Sequence, residues 1–236
     1  MRFSRLSELR AASAPDAPCL ADARTTLSNR EFHAKVLAAA GVLSGQGVGV
    51  GDVVALMLQN QVEFVVAMFA VWRLGAAVTP INPALTAKEA THQISDSRAK
   101  LIVHGGLEPG SLAVPSLLAG ELDAGLVHAE PAVEDSAALA LLIYTSGTTG
   151  LPKGVMLDHA NIEAMAEMGQ QSLKITPADH CLLVLPLFHV NGIVVSILTP
   201  LSAGGCVTIR ERFSLNTFFQ DVEQLRPTYF SAVPTI

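Results

Sequence analysis

Short apolar runs of strand length alternate along this chain with longer segments that carry helix-capping signals, and this alternation restricts the fold more than any other feature. Ser28 and Glu31 are spaced as a capping box, as are Thr86 and Glu89, so a helix is predicted to begin at each pair. The predicted helices cover residues 28–44, 60–74, 86–97, 161–172, 192–201 and 214–225. The predicted strands cover residues 53–57, 76–79, 99–104, 139–143, 155–157, 181–185, 206–209 and 228–232. Strands that alternate with such helices form parallel sheets joined by right-handed crossovers, so the predicted fold class is α/β with layered parallel sheets.

Residues from Cys181 to Ile209 contain no Asp, Glu, Lys or Arg, in a chain that is 50% hydrophobic and 15% charged. This stretch is long enough to span a bilayer, but Pro186, Asn191 and Pro200 divide it into strand, loop and helix. Parallel strands that are covered on both faces produce such continuous apolar runs. We therefore predict a buried α/β core and no membrane span.

Charge and cysteine content narrow the function classes. A formal net charge of −6 and a pI near 5.6 leave no basic patch of the kind that nucleic acid requires, so nucleic-acid binding is not expected. The three cysteines, Cys19, Cys181 and Cys206, are odd in number, far apart and without metal-ligand spacing, which favours free thiols in a reducing compartment. No metal-ligating residue is assigned. The N-terminus has no apolar segment typical of a secretory signal, so a cytoplasmic location is predicted.

The segment from Tyr144 to Gly154 reads Y-T-S-G-T-T-G-L-P-K-G and follows the apolar run 139–143 directly. Glycines let the backbone approach a ligand and aim successive N–H groups at phosphate oxygens. Four hydroxyl side chains and Lys153 add further donors and one positive charge. A polyphosphate site is therefore predicted at the carboxyl end of a buried strand, where ligands of open α/β sheets bind.

Two other kinds of segment share features with this one. The P-loop of common NTPases places four residues between its glycines and Ser or Thr after the lysine, whereas here Thr148 and Thr149 alone separate Gly147 from Gly150, and Gly154 follows the lysine. The P-loop is excluded on these counts. A hydroxyl-rich surface turn with a solvated lysine remains open, because long cationic side chains are usually exposed.

With the following M-L-D-H-A-N, this segment resembles the signature of the adenylate-forming superfamily, which includes acyl-CoA synthetases, aryl-CoA ligases, luciferases and peptide-synthetase adenylation domains. The resemblance implies a ligase that converts a carboxylate and ATP to an acyl-adenylate and pyrophosphate, and then forms a thioester with coenzyme A. ATP, Mg²⁺ and coenzyme A are the implied cofactors. The implied phosphate-binding residues are Thr145, Ser146, Gly147, Thr148, Thr149, Gly150 and Lys153.

A second segment, residues 185–192, resembles the substrate-gate motif of this superfamily and makes His189, Asn191 and Gly192 candidates for the substrate pocket. Amino-acid-activating relatives carry an Asp in the equivalent stretch, and a buried ammonium without a carboxylate is costly. The implied partner is therefore a fatty, aryl or small organic carboxylic acid. For His189, a structural role in the loop is as well supported as a role in the pocket.

Motifs that the superfamily carries further along its chains are absent from these 236 residues. We therefore predict that the chain is an N-terminal portion without a C-terminal domain. Its first α/β subdomain is predicted over residues 1–175, and an incomplete second subdomain over residues 176–236. Residues 1–45 could pack with the second subdomain. No catalytic residue is assigned, and the isolated chain is expected to be inactive. The alternative is a non-catalytic nucleotide-binding or interaction module that associates with itself through its incomplete second subdomain.

Overall fold

A computed structural model of the chain describes residues 3–106, 114–125, 127, 130–145 and 152–234. Its helices in those ranges are α1 (Phe3–Ser13), α2 (Asn29–Gly45), α3 (Val62–Arg73), α4 (Ala87–Asp96), α5 (His159–Leu173), α6 (Val190–Ile193), α7 (Thr199–Ala203) and α8 (Leu215–Leu225), with a 3-10 helix at Ala119–Ala124. Its strands are β1 (Pro18–Ala21), β2 (Thr26–Ser28), β3 (Val53–Met57), β4 (Ala77–Pro80), β5 (Leu101–His104), β6 (Ser116–Leu118), β7 (Leu139–Thr145), β8 (Lys153–Asp158), β9 (His180–Leu183), β10 (Cys206–Ile209) and β11 (Tyr229–Phe230).

The strands form two sheets. The six-stranded sheet has the order β6-β5-β3-β4-β7-β8, and the five-stranded sheet has the order β11-β9-β10-β1-β2. Neighbouring strands are parallel throughout except for the pairs β7–β8 and β1–β2. The predicted α/β class with layered parallel sheets is confirmed.

The strand predicted at residues 155–157 is an exception to the general prediction of parallel sheets. β8 pairs antiparallel with β7, so that Lys153 lies opposite Thr145 and Val155 opposite Ile143. Only residues 146–152 separate the two strands, and a parallel crossover needs a dozen residues or more. A hairpin is the arrangement that so short a connection allows.

Two strands near the N-terminus were not predicted. β1 and β2 have four and three residues, too few for a clear alternation of apolar and polar side chains. β1 pairs parallel with β10, with Leu20 opposite Val207. The five-stranded sheet therefore combines residues from the first thirty positions with residues beyond 180.

The helix starts predicted from the capping boxes are confirmed. Ser28 accepts a hydrogen bond from the Glu31 N–H, and Glu31 Oε2 accepts one from the Ser28 N–H at 2.8 Å. Thr86 and Glu89 make the same reciprocal pair at the start of α4. Each pair satisfies two backbone donors that a helix start would otherwise leave without partners.

Side chains of β3 alternate between two hydrophobic clusters, as expected for a strand that is covered on both faces. Val54 and Leu56 belong to the main core, which includes residues of α1, α2, α3 and both sheets. Ala55 and Met57 face a smaller cluster with Ala90 and Ile94 of α4. The six-stranded sheet is thus an interior layer with helices on either side.

The charge-free stretch folds as β9, a loop, a helical segment and β10. A π-helical turn at Val194–Leu198 joins α6 to α7, and Thr199 Oγ1 donates a hydrogen bond to Val194 O at 2.9 Å. Pro200 follows, and its lack of an N–H disturbs the regular helical hydrogen-bond pattern. Within the described ranges, no helix combines the length and the apolar character needed to cross a bilayer.

Arg10 of α1 is a buried cation whose guanidinium joins the N-terminal helix to the five-stranded sheet. It donates hydrogen bonds to Asn29 Oδ1 at 2.7 Å, Leu201 O at 2.5 Å and Gly205 O at 2.8 Å. Its side chain is 5% exposed, and these partners are neutral oxygens. Because three oxygens would lose a charged donor together with the cation, Arg10 is expected to contribute strongly to stability.

Arg10→Met should lower the free energy of unfolding by roughly 2–4 kcal/mol, because it leaves buried oxygens without donors. Urea unfolding monitored by circular dichroism measures this loss. Arg30→Met is the matched control, since Arg30 is 66% exposed and pairs with Asp16 at the surface; its effect should stay within about 0.5 kcal/mol. Equal effects of the two substitutions would contradict the proposed contribution of Arg10.

Candidate functional site

A cavity of about 810 Å³ lies where the carboxyl ends of strands from the two sheets come together. Among the residues that the structure describes, its wall is formed by segments that end or follow five strands. These segments are Leu58–Asn60 after β3, Ile143–Thr145 of β7, Val184–Asn191 after β9, Glu211–Phe213 after β10 and Val233 after β11. A parallel sheet brings its carboxyl ends to one edge, and two such edges form this cavity.

Three residues predicted from sequence meet at this cavity. Thr145 ends β7 on the side of the six-stranded sheet, whereas His189 and Asn191 lie on the loop that follows β9 of the five-stranded sheet. The His189 ring packs on Phe188 with ring centroids 4.6 Å apart. The fold therefore brings Thr145, at the start of the predicted phosphate segment, to the same cavity as the predicted substrate segment, although the two are more than forty positions apart in sequence.

Two other predicted residues do not line the cavity. Gly192 is buried behind the wall, where a Cβ atom would lie 2.4 Å from Pro186 O, so a side chain is excluded by the close approach of the backbone. Lys153 is an exposed residue at the start of β8, opposite Thr145 in the hairpin. The remaining predicted phosphate-binding residues lie outside the described residues: Ser146, Gly147, Thr148, Thr149 and Gly150.

Helix α4 holds the described residues on both sides of segment 146–151. The Tyr144 hydroxyl donates a hydrogen bond to Asp96 Oδ2 at 2.6 Å. His92 lies edge-on to the Tyr144 ring, with centroids 6.5 Å apart, and its Nε2 is 3.5 Å from Pro152 O. Both stems of the predicted phosphate segment are therefore anchored to one helix.

Polar residues that the sequence analysis missed also line the cavity. Gln59 and Asn60 follow β3, and Glu211 and Arg212 follow β10, among otherwise mainly apolar side chains. Their positions after predicted strands at 53–57 and 206–209 were a usable signal, because ligands of α/β sheets bind at such positions. The opposite charges of Glu211 and Arg212 leave this part of the wall without a net charge.

Protein ligands for a metal are not found in the described part of the chain. No group of three or more His, Cys, Asp or Glu side chains lies close enough together there to hold an ion. The donors that the described residues offer around the predicted phosphate segment are a hydroxyl at Thr145 and an ammonium at Lys153, since the Tyr144 phenol donates to Asp96. This set suits an anion better than a cation.

The cavity lies at the carboxyl ends of parallel strands and presents hydroxyl, amide and apolar groups. This arrangement is typical of α/β proteins that bind a small molecule between two sheets. The sequence profile of the family described as AMP-binding enzyme matches residues 7–236, and the chain belongs to this family. This match confirms the resemblance inferred from residues 144–154.

Curated relatives are CoA ligases. The chain is 35% identical to the probable CoA ligase CCL9 of Humulus lupulus, over 91% of this chain and 47% of that protein. It is 37% identical to the oxalate–CoA ligase of Arabidopsis thaliana, over 84% of this chain and 43% of that protein. The chain thus spans about half the length of the curated relatives it matches.

Solved structures share the fold over nearly the whole chain. The O-succinylbenzoate coenzyme A synthetase of Bacillus subtilis in complex with AMP superposes with a TM-score of 0.90 at 29% identity, over 98% of this chain and 61% of that chain. ATP-bound MatB of Rhodopseudomonas palustris gives a TM-score of 0.89 at 26% identity, over 100% of this chain and 50% of that chain.

The two tyrosines of the sequence should both resist ionisation in the folded protein. Burial raises the pKa of Tyr144 well above its ordinary value of 10.0, and the hydrogen bond to Asp96 raises it further. Burial likewise raises the pKa of Tyr229. Tyrosinate absorbance should therefore stay absent at about pH 11 in the folded protein and appear near pH 10 in guanidinium chloride.

Tyr144→Phe assigns the signal to one residue. If folded Tyr144 ionises near pH 10, a tyrosinate band appears there in the parent protein and is lost in the variant. That result would contradict the hydrogen bond from the Tyr144 hydroxyl to Asp96.

Proposed function

We propose that this chain is the nucleotide- and acid-binding portion of an ATP-dependent acid–CoA ligase. In the proposed reaction, a carboxylate oxygen attacks the α-phosphorus of ATP to form an acyl-adenylate, and pyrophosphate leaves. The thiol of coenzyme A then attacks the acyl carbon, and AMP leaves. The observation that carries the proposal is the meeting of Thr145 with His189 and Asn191 at one cavity, in a member of the AMP-binding enzyme family.

The phosphate segment would stabilise the triphosphate during the first step. We propose that Thr145 and residues 146–150 bind its β- and γ-phosphates, and that Lys153 balances the charge that develops on pyrophosphate. The bound state of a related synthetase, described as a complex with ATP and magnesium ion, supports ATP as the nucleotide. Mg²⁺ would neutralise phosphate charge, and we assign no protein ligand to it.

The mainly apolar wall supports a carboxylic acid as the second substrate. Leu58, Ile143, Val184 and Val190 would contact its hydrocarbon part, while Asn191 offers an amide for orientation. Curated relatives named for oxalate, sulfoacetate and 4-coumarate extend from small organic to aryl acids. We propose a fatty, aryl or small organic acid for this chain.

Glu211 qualifies the argument against an α-amino acid. The charge-free stretch ends at Ile209, but the structure places Glu211 in the cavity wall, where a carboxylate could attract an ammonium group. Glu211 is exposed to solvent and is flanked in sequence by Arg210 and Arg212. Dissolved salt and these neighbouring cations therefore screen its negative charge. We propose that selection against amino acids persists.

Acid-dependent exchange of pyrophosphate into ATP tests the proposal. A protein that includes the later motifs should exchange with a subset of fatty, aryl and small organic acids and with no α-amino acid, and Glu211→Gln should leave this pattern unchanged. Lys153→Ala should lower the exchange rate by about 10²-fold, because the charge on the leaving group loses its cation.

Lys88→Ala is the matched control, because Lys88 is an exposed lysine on α4 away from the cavity. Both variants should melt within about 2 °C of the parent. An equal exchange rate in Lys153→Ala and Lys88→Ala removes Lys153 from the mechanism. Absence of exchange with every acid, in a protein that includes the later motifs, overturns the proposed function.

The proposed domain organisation bears on whether the 236-residue chain is active by itself, which the same assay measures. We propose that the first α/β subdomain extends to about residue 175 and that residues 176–236 begin a second, with β1 and β2 contributing to the sheet of the latter. Because the later motifs are absent from the 236 residues, we propose that this chain alone exchanges slowly or not at all.

The free cysteines, two of them buried, support a reducing compartment, and we propose the cytoplasm.

A second candidate function is a non-catalytic interaction module that associates with itself. The observation that favours it is α8, a helix that has no buried residue. Leu215 and Phe219 on this helix are 73% and 74% exposed, and Phe230 of the neighbouring strand is 44% exposed. A contiguous apolar surface of this kind is typical of an interface.

Sedimentation equilibrium on the 236-residue chain tests self-association. If α8 forms the interface, the mean mass should rise with protein concentration, and Phe219→Gln should shift the transition to at least roughly tenfold higher concentration. Val50→Gln is a control, because Val50 is equally exposed at 74% and lies on a different surface loop. A monomer at every concentration contradicts this second function.

A further inference from the structure

The side chain of Asn60 joins three wall segments of the cavity. Its Nδ2 donates hydrogen bonds to Leu185 O at 2.9 Å and Arg210 O at 3.1 Å, and its Oδ1 accepts one from the Leu187 N–H at 2.8 Å. Two carbonyls and one N–H leave a single orientation of the amide that satisfies all three partners. Asn60 is 7% exposed, so water does not replace these bonds easily.

These bonds connect the two sheets at the level of the site. Asn60 follows β3 of the six-stranded sheet, whereas Leu185 and Leu187 follow β9 and Arg210 follows β10 of the five-stranded sheet. The amide therefore sets the distance between opposite walls of the cavity. Hydrophobic packing is not directional and cannot set this distance as closely.

A short series of contacts leads from Asn60 to the proposed acid-binding residues. Asn60 holds the backbone on both sides of Pro186. Pro186 O accepts a hydrogen bond from the His189 N–H at 3.2 Å, and Gly192 packs directly against the same oxygen. A displacement of residues 185–187 would therefore move His189 relative to Thr145 on the facing wall.

We propose that Asn60 is a positioning residue that holds the loop of residues 185–192 in the geometry that receives the carboxylic acid. The expected effect on acid binding rests on the proposed ligase function. The expected effect on the loop rests on the hydrogen bonds alone. Asn60 acts through the loop and takes no part in the chemistry.

Asn60→Asp is the decisive variant, because it keeps the shape of the side chain and replaces the two N–H donors by an oxygen that faces two carbonyls. Gln59→Glu is the matched control. Gln59 lines the same cavity, undergoes the same amide-to-acid change and makes no hydrogen bond to the described residues. If Asn60→Asp does not fold, Asn60→Ser removes the same bonds without adding a charge.

The structural measurement is amide hydrogen exchange followed by mass spectrometry. In Asn60→Asp, exchange of the peptide that contains residues 185–192 should accelerate at least roughly tenfold, and exchange of the β4 peptide should stay unchanged. Gln59→Glu should alter neither peptide. Unchanged exchange at 185–192 in the folded Asn60→Asp protein would overturn the positioning role.

The kinetic measurement is the KM for acid and for ATP in pyrophosphate exchange. Asn60→Asp should raise the KM for the acid about tenfold or more and leave the KM for ATP within about twofold. A parallel rise of both constants, or a uniform increase in hydrogen exchange, indicates a general loss of stability and overturns the proposal. If a parent protein that includes the later motifs shows no exchange with any acid, the ligase function fails, and hydrogen exchange alone decides whether Asn60 holds the loop.

Discussion

The burial of α3 on every side is the packing interaction on which the rest of the structure depends. All of its residues except Glu63 are buried, and Phe69 and Trp72 pack edge to face within it, with ring centroids 5.3 Å apart. A helix without a polar face must lie in an interior, and α3 belongs to the core cluster that includes residues of both sheets. This shared core holds the sheets together, so that their carboxyl ends enclose a cavity between them.

Directional polar contacts refine this packing at two places. Arg10 ties α1 to the carbonyls of Leu201 and Gly205 on one side of the five-stranded sheet, and Asn60 ties the six-stranded sheet to the loops after β9 and β10. Each is a buried group that makes hydrogen bonds to backbone atoms far away in sequence. Such bonds contribute specificity of position, because their loss leaves several buried groups without partners.

The candidate site was predictable where one short segment carries its own chemistry. Residues 144–154 combine hydroxyls, glycines and a lysine in a spacing that indicates a phosphate ligand, and the apolar run before them indicates a strand end. Asn60, Glu211 and Arg212 are ordinary polar residues in their local sequence. Their positions after predicted strands could mark them as candidates, but could not show that they line one cavity. Their importance depends on which strand ends lie opposite each other, and local periodicity contains no information about that.

The amino-acid sequence by itself determined the α/β class and the starts of α2 and α4, and it indicated a candidate phosphate segment, because capping, periodicity and residue chemistry are local properties. Tertiary structure alone decided that β1 joins β10, that β8 turns back on β7 and that Thr145 faces His189 across one cavity. These outcomes depend on pairing between distant segments, and such pairing follows from the burial of a common core rather than from any single stretch of residues.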